Sequence, residues 1–314
     1  MYKHPTAYTE ANDETSCIKE IGNNYSTPKY PNYEVNHLEF KKIGNDKVAA
    51  LGLGTWRIGG GETPDYSKDI KEVQTLRYGI DLGLTHIDTA EHYGAGHSEE
   101  IVGKAIEPYD RRDLFITSKV WPNHLKYDQL LESMKASLKR LNLDYVDLYL
   151  VHWSNPEIPL EETMNALEHC IDEGYTRHIG VSNFSIELLN KATSYLKDNR
   201  LVANQVKYSL LEQSPSKRLH KYCIENDMLL TAYSPLGRGP LTKPGNKVLD
   251  ELTVKYEKTQ AQIALNWLIS QEKVITIPKA SNIQHIEENN GAISWKMSTE
   301  DQTRLAESFK NNFS

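Results

Sequence analysis

The sequence predicts an α/β protein built as a (β/α)8 TIM barrel, with an N-terminal β-hairpin and an extra N-terminal extension before it. Three observations carry this. Strand-like and helix-like stretches alternate along most of the 314 residues, a pattern that calls for a parallel sheet. Several strands, notably Val146-Asp147-Leu148-Tyr149-Leu150-Val151, are apolar nearly throughout, as strands covered on both faces are. No shift of composition marks a second domain, so one barrel of ordinary length fits better than a doubly wound sheet.

In chain order, residues 1–36 are rich in Thr, Asn, Tyr, Pro and Glu without a sustained period, and read as an extension that is either disordered or draped over the barrel. The barrel domain is assigned to residues 37–314. Leu38–Ile43 alternates, Gly44-Asn45-Asp46 turns, and Lys47–Gly54 resumes extended structure, which predicts a hairpin running into a first buried strand. With Val48–Gly54 as the first, eight barrel strands follow, the others at Thr85–Thr89, Leu114–Val120, Tyr145–Trp153, Arg177–Asn183, Val202–Tyr208, Leu229–Ser234 and Val274–Pro278. Between them Asp69–Leu82, Tyr127–Leu141, Leu160–Glu173 and Lys217–Asn226 repeat apolar residues at helical spacing. In Tyr127–Leu141 the stripe is Leu130, Leu131, Met134, Leu138 and Leu141, with Glu132, Lys135, Lys139 and Arg140 opposite. Ser298–Lys310 reads as a last amphipathic helix.

Composition bounds the function. The net charge of -7 and pI near 5.9 give no basic footprint for nucleic acid. A mean hydropathy of -0.59, with no apolar run near the roughly 20 residues a bilayer demands, argues against a membrane partner. Met1–Pro31 is polar and lacks the apolar centre of a secretory signal, which places the protein in the cytoplasm. Cys17, Cys170 and Cys223 form no CxxC pattern, so neither a disulfide framework nor a metal site is expected. The glycines Gly52, Gly54, Gly59, Gly60 and Gly61 lack the G-x-G-x-x-G order of a Rossmann fold.

In a barrel the working residues stand at the C-terminal strand ends. Those positions give Asp88 and Tyr93 after the second strand, Lys119 at the end of the third and His152 at the end of the fourth. Each has an ordinary alternative: a capping Asp, a surface Tyr, a solvated strand-end Lys, a satisfied core His. Lys119 is the hardest to dismiss, because apolar residues flank it and an unpaired charge there is costly. Together they describe proton transfer. A close ammonium favours the phenolate and lowers a tyrosine pKa, so Tyr93 would donate the proton, Lys119 tune it and Asp88 anchor Lys119. A neutral His152 would hydrogen-bond a substrate carbonyl. A carbonyl protonated as it accepts a hydride becomes an alcohol.

From about Leu38 to Lys310 the chain resembles the aldo-keto reductases. The motifs run in order: Leu51-Gly52-Leu53-Gly54-Thr55-Trp56, Ile87-Asp88-Thr89-Ala90 with Tyr93-Gly94, Thr117-Ser118-Lys119, Asp147–Trp153, Gly180-Val181-Ser182-Asn183-Phe184, Ala232–Gly237 and Ile277-Pro278-Lys279. The resemblance implies an NADPH-dependent oxidoreductase whose catalytic tetrad is Asp88, Tyr93, Lys119 and His152. It implies that Ser182, Asn183 and Gln205 hold the nicotinamide carboxamide, that Tyr233 stacks on its ring, and that Ser234, Leu236 and Gly237 pass the pyrophosphate. Gly54, Thr55 and Trp56 then lie near the nicotinamide end and the substrate mouth.

At the adenosine end the resemblance puts Lys279 on the 2′-phosphate of NADP and Glu288 and Asn289 on adenine. His285 stands where many NADP-preferring members carry arginine, which removes a permanent bidentate donor and implies a relaxed preference that tolerates NADH. Trp56, Trp121 and Trp153 would line an aromatic substrate mouth. A short loop at Arg238–Asn246 and a short tail imply an open pocket for aldehydes, ketones, sugars or 2-oxo aldehydes, a small-molecule carbonyl or alcohol being the expected partner. A monomer or weak homo-oligomer is expected. The alternatives are a cofactor-binding regulatory or scaffold barrel with little turnover, and a barrel isomerase or aldolase using Lys119 as a Schiff base.

Overall fold

The computed structural model describes residues 39–310; the expected extension, residues 1–36, lies outside them. Strands β1 (Phe40–Ile43) and β2 (Asp46–Ala49) pair antiparallel, Ile43 opposite Asp46 and Phe40 opposite Ala49. Gly44 makes the turn at φ 54°, and a Cβ there would come within 2.5 Å of the His178 ring. The hairpin is further fixed by Asp46, which accepts from His178 Nε2 and from Arg177, both at 2.7 Å.

Eight parallel strands follow: β3 (Leu53–Gly54), β4 (His86–Asp88), β5 (Phe115–Val120), β6 (Val146–Val151), β7 (Thr176–Ser182), β8 (Leu201–Lys207), β9 (Leu229–Tyr233) and β10 (Val274–Thr276). Each pairs with the next in sequence order. The ring closes where Leu51 bridges Thr276 and Gly54 bridges Lys279, with Gly52 N donating to Thr276 O and Gly54 N to Pro278 O. Gly54 is needed for that closure, since a Cβ there would meet Ile277 O at 2.4 Å. This is the (β/α)8 barrel with its N-terminal hairpin. The expected strand Val48–Gly54 divides, however. Val48 and Ala49 belong to β2, the chain bends at the fully buried Ala50, and the barrel strand proper is β3.

Between strands lie the helices α1 (Asp69–Asp81), α2 (His97–Ile106), α3 (Tyr127–Leu141), α4 (Leu160–Asp172), α5 (Ile186–Thr193), α6 (Ser214–Lys217), α7 (Leu219–Glu225), α8 (Lys247–Tyr256) and α9 (Gln260–Ile269), and after the last strand come α10 (Ile283–Asn290) and α11 (Thr299–Lys310). In α3 the apolar stripe is the buried side, and Asn142 ends the helix in the left-handed region at φ 55°. Helix α9 starts on a capping box in which Thr259 and Gln262 cap each other's backbone. The expected helix Lys217–Asn226 is two pieces, because the backbone at Arg218 leaves helical geometry.

Side-chain alternation then sets the interior. Asp88 pairs Thr117, and Lys119 lies two residues further on the same face of β5. His86 stands two residues below Asp88, its Nε2 3.3 Å from Thr117 Oγ1. Sequence register alone therefore stacks His86, Asp88, Thr117 and Lys119 on neighbouring strands toward one rim. Among the described residues no helix is long and apolar enough to cross a membrane.

Candidate active site

At that rim a cavity of about 760 Å³ opens over the strand ends. Asp88, Tyr93, His152, Gln205 and Tyr233 all line it. Lys119 stands behind this wall, fully buried, and donates to Asp88 Oδ1 at 2.5 Å, to Thr89 O at 2.8 Å and to the Tyr93 hydroxyl at 3.3 Å. Gln205 Nε2 donates to Asp88 Oδ2 at 2.7 Å. Both carboxylate oxygens thus accept from donors, the condition for burying a charge.

Electrostatics follow from burial. Burial opposes the Lys119 ammonium, but Asp88 and then Tyr93 more than offset it, and its pKa is raised. Burial raises the Asp88 carboxyl against Lys119 and Gln205; with both oxygens occupied by donors, the ion pair is the arrangement that the geometry supports. At Tyr93 burial pushes the phenol up, Lys119 pulls it down and Asp88 pushes it up again, and the net shift is upward. Lys119 alone was expected to lower it; the dry surroundings of the phenol outweigh that attraction. The result is a phenol that stays protonated until a base appears beside it. Burial, then Lys119 and His92, lowers His152 to about 2, so the imidazole is neutral. Its Nδ1 is buried without a hydrogen-bond partner among the described residues.

The remaining expected residues divide into groups. Ser182 Oγ donates to Gln205 O at 2.8 Å, and Asn183 Nδ2 donates to Ser182 Oγ at 2.9 Å and His152 O at 3.3 Å. Tyr233 donates to Asn183 Oδ1 at 3.0 Å, which fixes its ring in the cavity wall. Ser234 and Leu236 line the cavity and Gly237 does not. Lys279, His285, Glu288 and Asn289 form its far end, and Gly54, Thr55, Trp56, Trp121 and Trp153 its near side. Thr55 is buried and donates to Asp88 O at 3.0 Å, whereas Trp56 and Trp153 are exposed.

Among the lining residues that the sequence did not single out are Arg57, His92 and Arg238. Arg57 and Arg238 adjoin the motifs at Trp56 and Gly237, which was the available signal. His92 stacks on Trp121, ring centroids 3.6 Å apart and 8° from parallel. Of ten non-glycine residues with positive φ among those described, Arg57, Ala95, Asn183, Ser234 and Arg238 stand at this rim, where strain marks function.

Cations concentrate at the cavity in an acidic chain. Desolvation lowers the Lys279 ammonium, Glu72 opposes that, and Arg57 and Lys68 depress it further. Such a patch suits phosphates, and the fixed Tyr233 ring beside amide groups suits a flat carboxamide-bearing ring. The residues present therefore fit a nicotinamide dinucleotide phosphate. No group of His, Cys, Asp and Glu among the described residues could hold a metal.

Comparison with known proteins decides the family. Residues 50–309 match the model of the Aldo/keto reductase family. This chain belongs to that family. It is 36% identical over 269 residues to methylglyoxal reductase YeaE of Escherichia coli, covering 85% of this chain and 93% of the relative. The crystal structure of the thermostable aldo-keto reductase Tm1743, in complex with the inhibitor epalrestat, superposes with TM-score 0.83 at 47% identity, covering 86% of this chain and 100% of that one. An aldo/keto reductase of Klebsiella pneumoniae, solved with NADP and acetate, gives 0.78 at 36% identity, covering 85% and 94%.

Proposed function

We propose that this aldo/keto reductase reduces aldehydes and ketones, 2-oxo aldehydes among them, to alcohols with NADPH. The observation that carries the reading is the position of Lys119 Nζ, between Asp88 Oδ1 and the Tyr93 hydroxyl in the wall of the cavity that His152 and Tyr233 also line. NADPH, when bound, supplies the hydride. Tyr233, held by Asn183, gives the nicotinamide ring a flat surface, and Ser182, Asn183 and Gln205 surround its carboxamide. Ser234 and Leu236, with Arg57 and Arg238, lie on the pyrophosphate path. Lys279 and His285 meet the 2′-phosphate, and Glu288 and Asn289 the adenine.

Neutral His152 orients the substrate carbonyl, and Tyr93 gives its proton to the carbonyl oxygen as negative charge develops there. Lys119 then stabilises the phenolate left behind, and Asp88 with Gln205 keeps the ammonium in place. Trp56, Trp121 and Trp153 exclude water at the mouth. The YeaE relative is a methylglyoxal reductase by name, which supports 2-oxo aldehydes as substrates. Residues 37–314 form the barrel domain and residues 1–36 an extension. The protein acts in the cytoplasm, as a monomer or weak homo-oligomer without nucleic acid. Absorbance at the NADPH band with aldehydes, ketones, aldoses and 2-oxo aldehydes tests the reading. Turnover of aldehydes is expected, and absence of NADPH oxidation with every class defeats it.

A further inference from the structure

Tyr93 sits on an unusual support. Gly94, Ala95 and Gly96 follow it with φ of 58°, 52° and 95°, three left-handed residues in a row before α2 begins at His97. Ala95 has no intrinsic preference for that region, so surrounding contacts must hold the loop. Gly94 N donates to Gly61 O at 2.8 Å, and a Cβ on Gly94 would lie 2.5 Å from Gly59 O. Gly59 in turn lies against His97 and Ser98, close enough that its own Cβ would come within 3.1 Å of His97 Cδ2. The loop of Tyr93 and the loop from Arg57 to Lys68 are thus packed backbone to backbone, with His97 at the seam.

His97 is buried, and its two ring nitrogens both face carboxylates. Nε2 is 2.8 Å from Asp69 Oδ1, at the start of α1, and Nδ1 is 2.7 Å from Glu100 Oε2, on α2. A neutral imidazole donates from one nitrogen and accepts at the other, so only an imidazolium satisfies both contacts. The Tyr66 ring covers it at 4.2 Å. Of the other charged groups around it, Lys104 shares Asp69 through Oδ2 at 3.3 Å, and Glu72 Oε2 accepts from Gly59 N at 2.7 Å. Lys68 stands one residue before Asp69. The His97 backbone N–H returns to the carbonyls of Tyr93 and Gly94.

We infer that His97 is a positioning residue for Tyr93, clipping the left-handed loop that carries the phenol to α1 for as long as its ring is an imidazolium. Burial works against the charge, but Asp69 and Glu100 outweigh it and the His97 pKa is raised. The clip is therefore closed below that raised pKa. When pH rises through that pKa, one nitrogen loses its proton, a lone pair faces a carboxylate, and one of the two bonds is lost. Tyr93 is then less well placed against the carbonyl, which lowers kcat. Misplacement by about 1 Å can cost on the order of 100-fold in rate. The nicotinamide contacts Ser182, Gln205 and Tyr233 lie on β7 to β9, not on the loops or helices that the clip joins, so NADPH affinity stays nearly unchanged.

This inference rests on the reductase reading, and the test separates the two. With the full-length protein, kcat is measured from pH 6 to 9.5 at saturating NADPH and aldehyde, His97 is titrated by NMR with His97→Asn for assignment, and NADPH Kd is read by fluorescence. The kcat midpoint should coincide with the His97 midpoint. Asp69→Asn and Glu100→Gln should each move both midpoints to lower pH, with Kd within about twofold. His97→Asn should lose about 10-fold in kcat at pH 6.5 and lack the alkaline fall. An alkaline limb that stays put while the NMR midpoint moves, or a His97→Asn enzyme with wild-type kcat and limb, overturns the inference. Absence of any wild-type turnover overturns the reductase reading instead. If Asp69→Asn does not fold, Glu100→Gln alone decides.

Discussion

Lys119 Nζ lies 3.3 Å from the Tyr93 hydroxyl, wholly inside the barrel, with Asp88 as its counter-ion. Breaking such a buried pair leaves an uncompensated charge and costs about 3–5 kcal/mol. Lys119→Met should therefore lower stability by that order, measured by urea unfolding, and should lose at least about 100-fold in kcat. A stable variant with near-normal turnover would show that the ammonium neither anchors the wall nor serves the phenol.

Gly94 precedes the strained turn at φ 58° with Gly59 O directly where a Cβ would go. Gly94→Val should cost about 1–2 kcal/mol for the left-handed backbone alone and displace Tyr93, reducing kcat by about 100-fold. NADPH affinity, whose nicotinamide contacts at β7 to β9 and adenosine contacts at Lys279 and α10 lie outside this turn, should change less than about threefold. Comparable losses of both would mean the whole rim had collapsed.

His86 and His152 are buried neutral, lowered to about 3 and about 2, in each case by burial first. An unfolded chain takes up protons at these positions below the ordinary value of 6.5, and the folded chain does not, so each histidine removes stability as pH falls below 6.5. Each contributes a loss of about 1 kcal/mol between pH 7 and 5.5. Urea titrations at the two pH values should show a smaller loss for His86→Asn than for wild type by about that amount. Equal losses would mean that His86 is protonated in the folded state.

At the adenosine end, His285 lines the cavity beside Lys279. Arginine there would supply the permanent bidentate phosphate donor that histidine lacks, so His285→Arg should raise the ratio of NADPH to NADH affinity. An unchanged ratio would remove position 285 from 2′-phosphate recognition.

Much of this was legible in the sequence because barrel strands carry their signal locally. Apolar runs such as Val146–Val151, and acids or amines at strand ends, fix both fold and rim. The divided first strand was less legible, because Val48–Gly54 is uniformly extended and small and only the fold reveals that the hairpin turns away at Ala50. Gln205 shows a second limit. Its strand-end position matches a carboxamide contact, but its bond to Asp88 joins residues 117 apart, a pairing no local pattern records. His97 shows a third. A histidine at the start of a helix has no distinctive spacing, and its two carboxylate partners meet only when α1 and α2 pack.

If Tyr93 hands its proton to a carbonyl, its hydroxyl is needed for turnover and not for cofactor binding. The most direct test compares wild type with Tyr93→Phe for NADPH oxidation by an aldehyde and for NADPH binding in its absence. The variant should bind NADPH within about twofold of wild type and lose about 100- to 10,000-fold in kcat. Equal turnover in the two proteins would contradict that proton transfer.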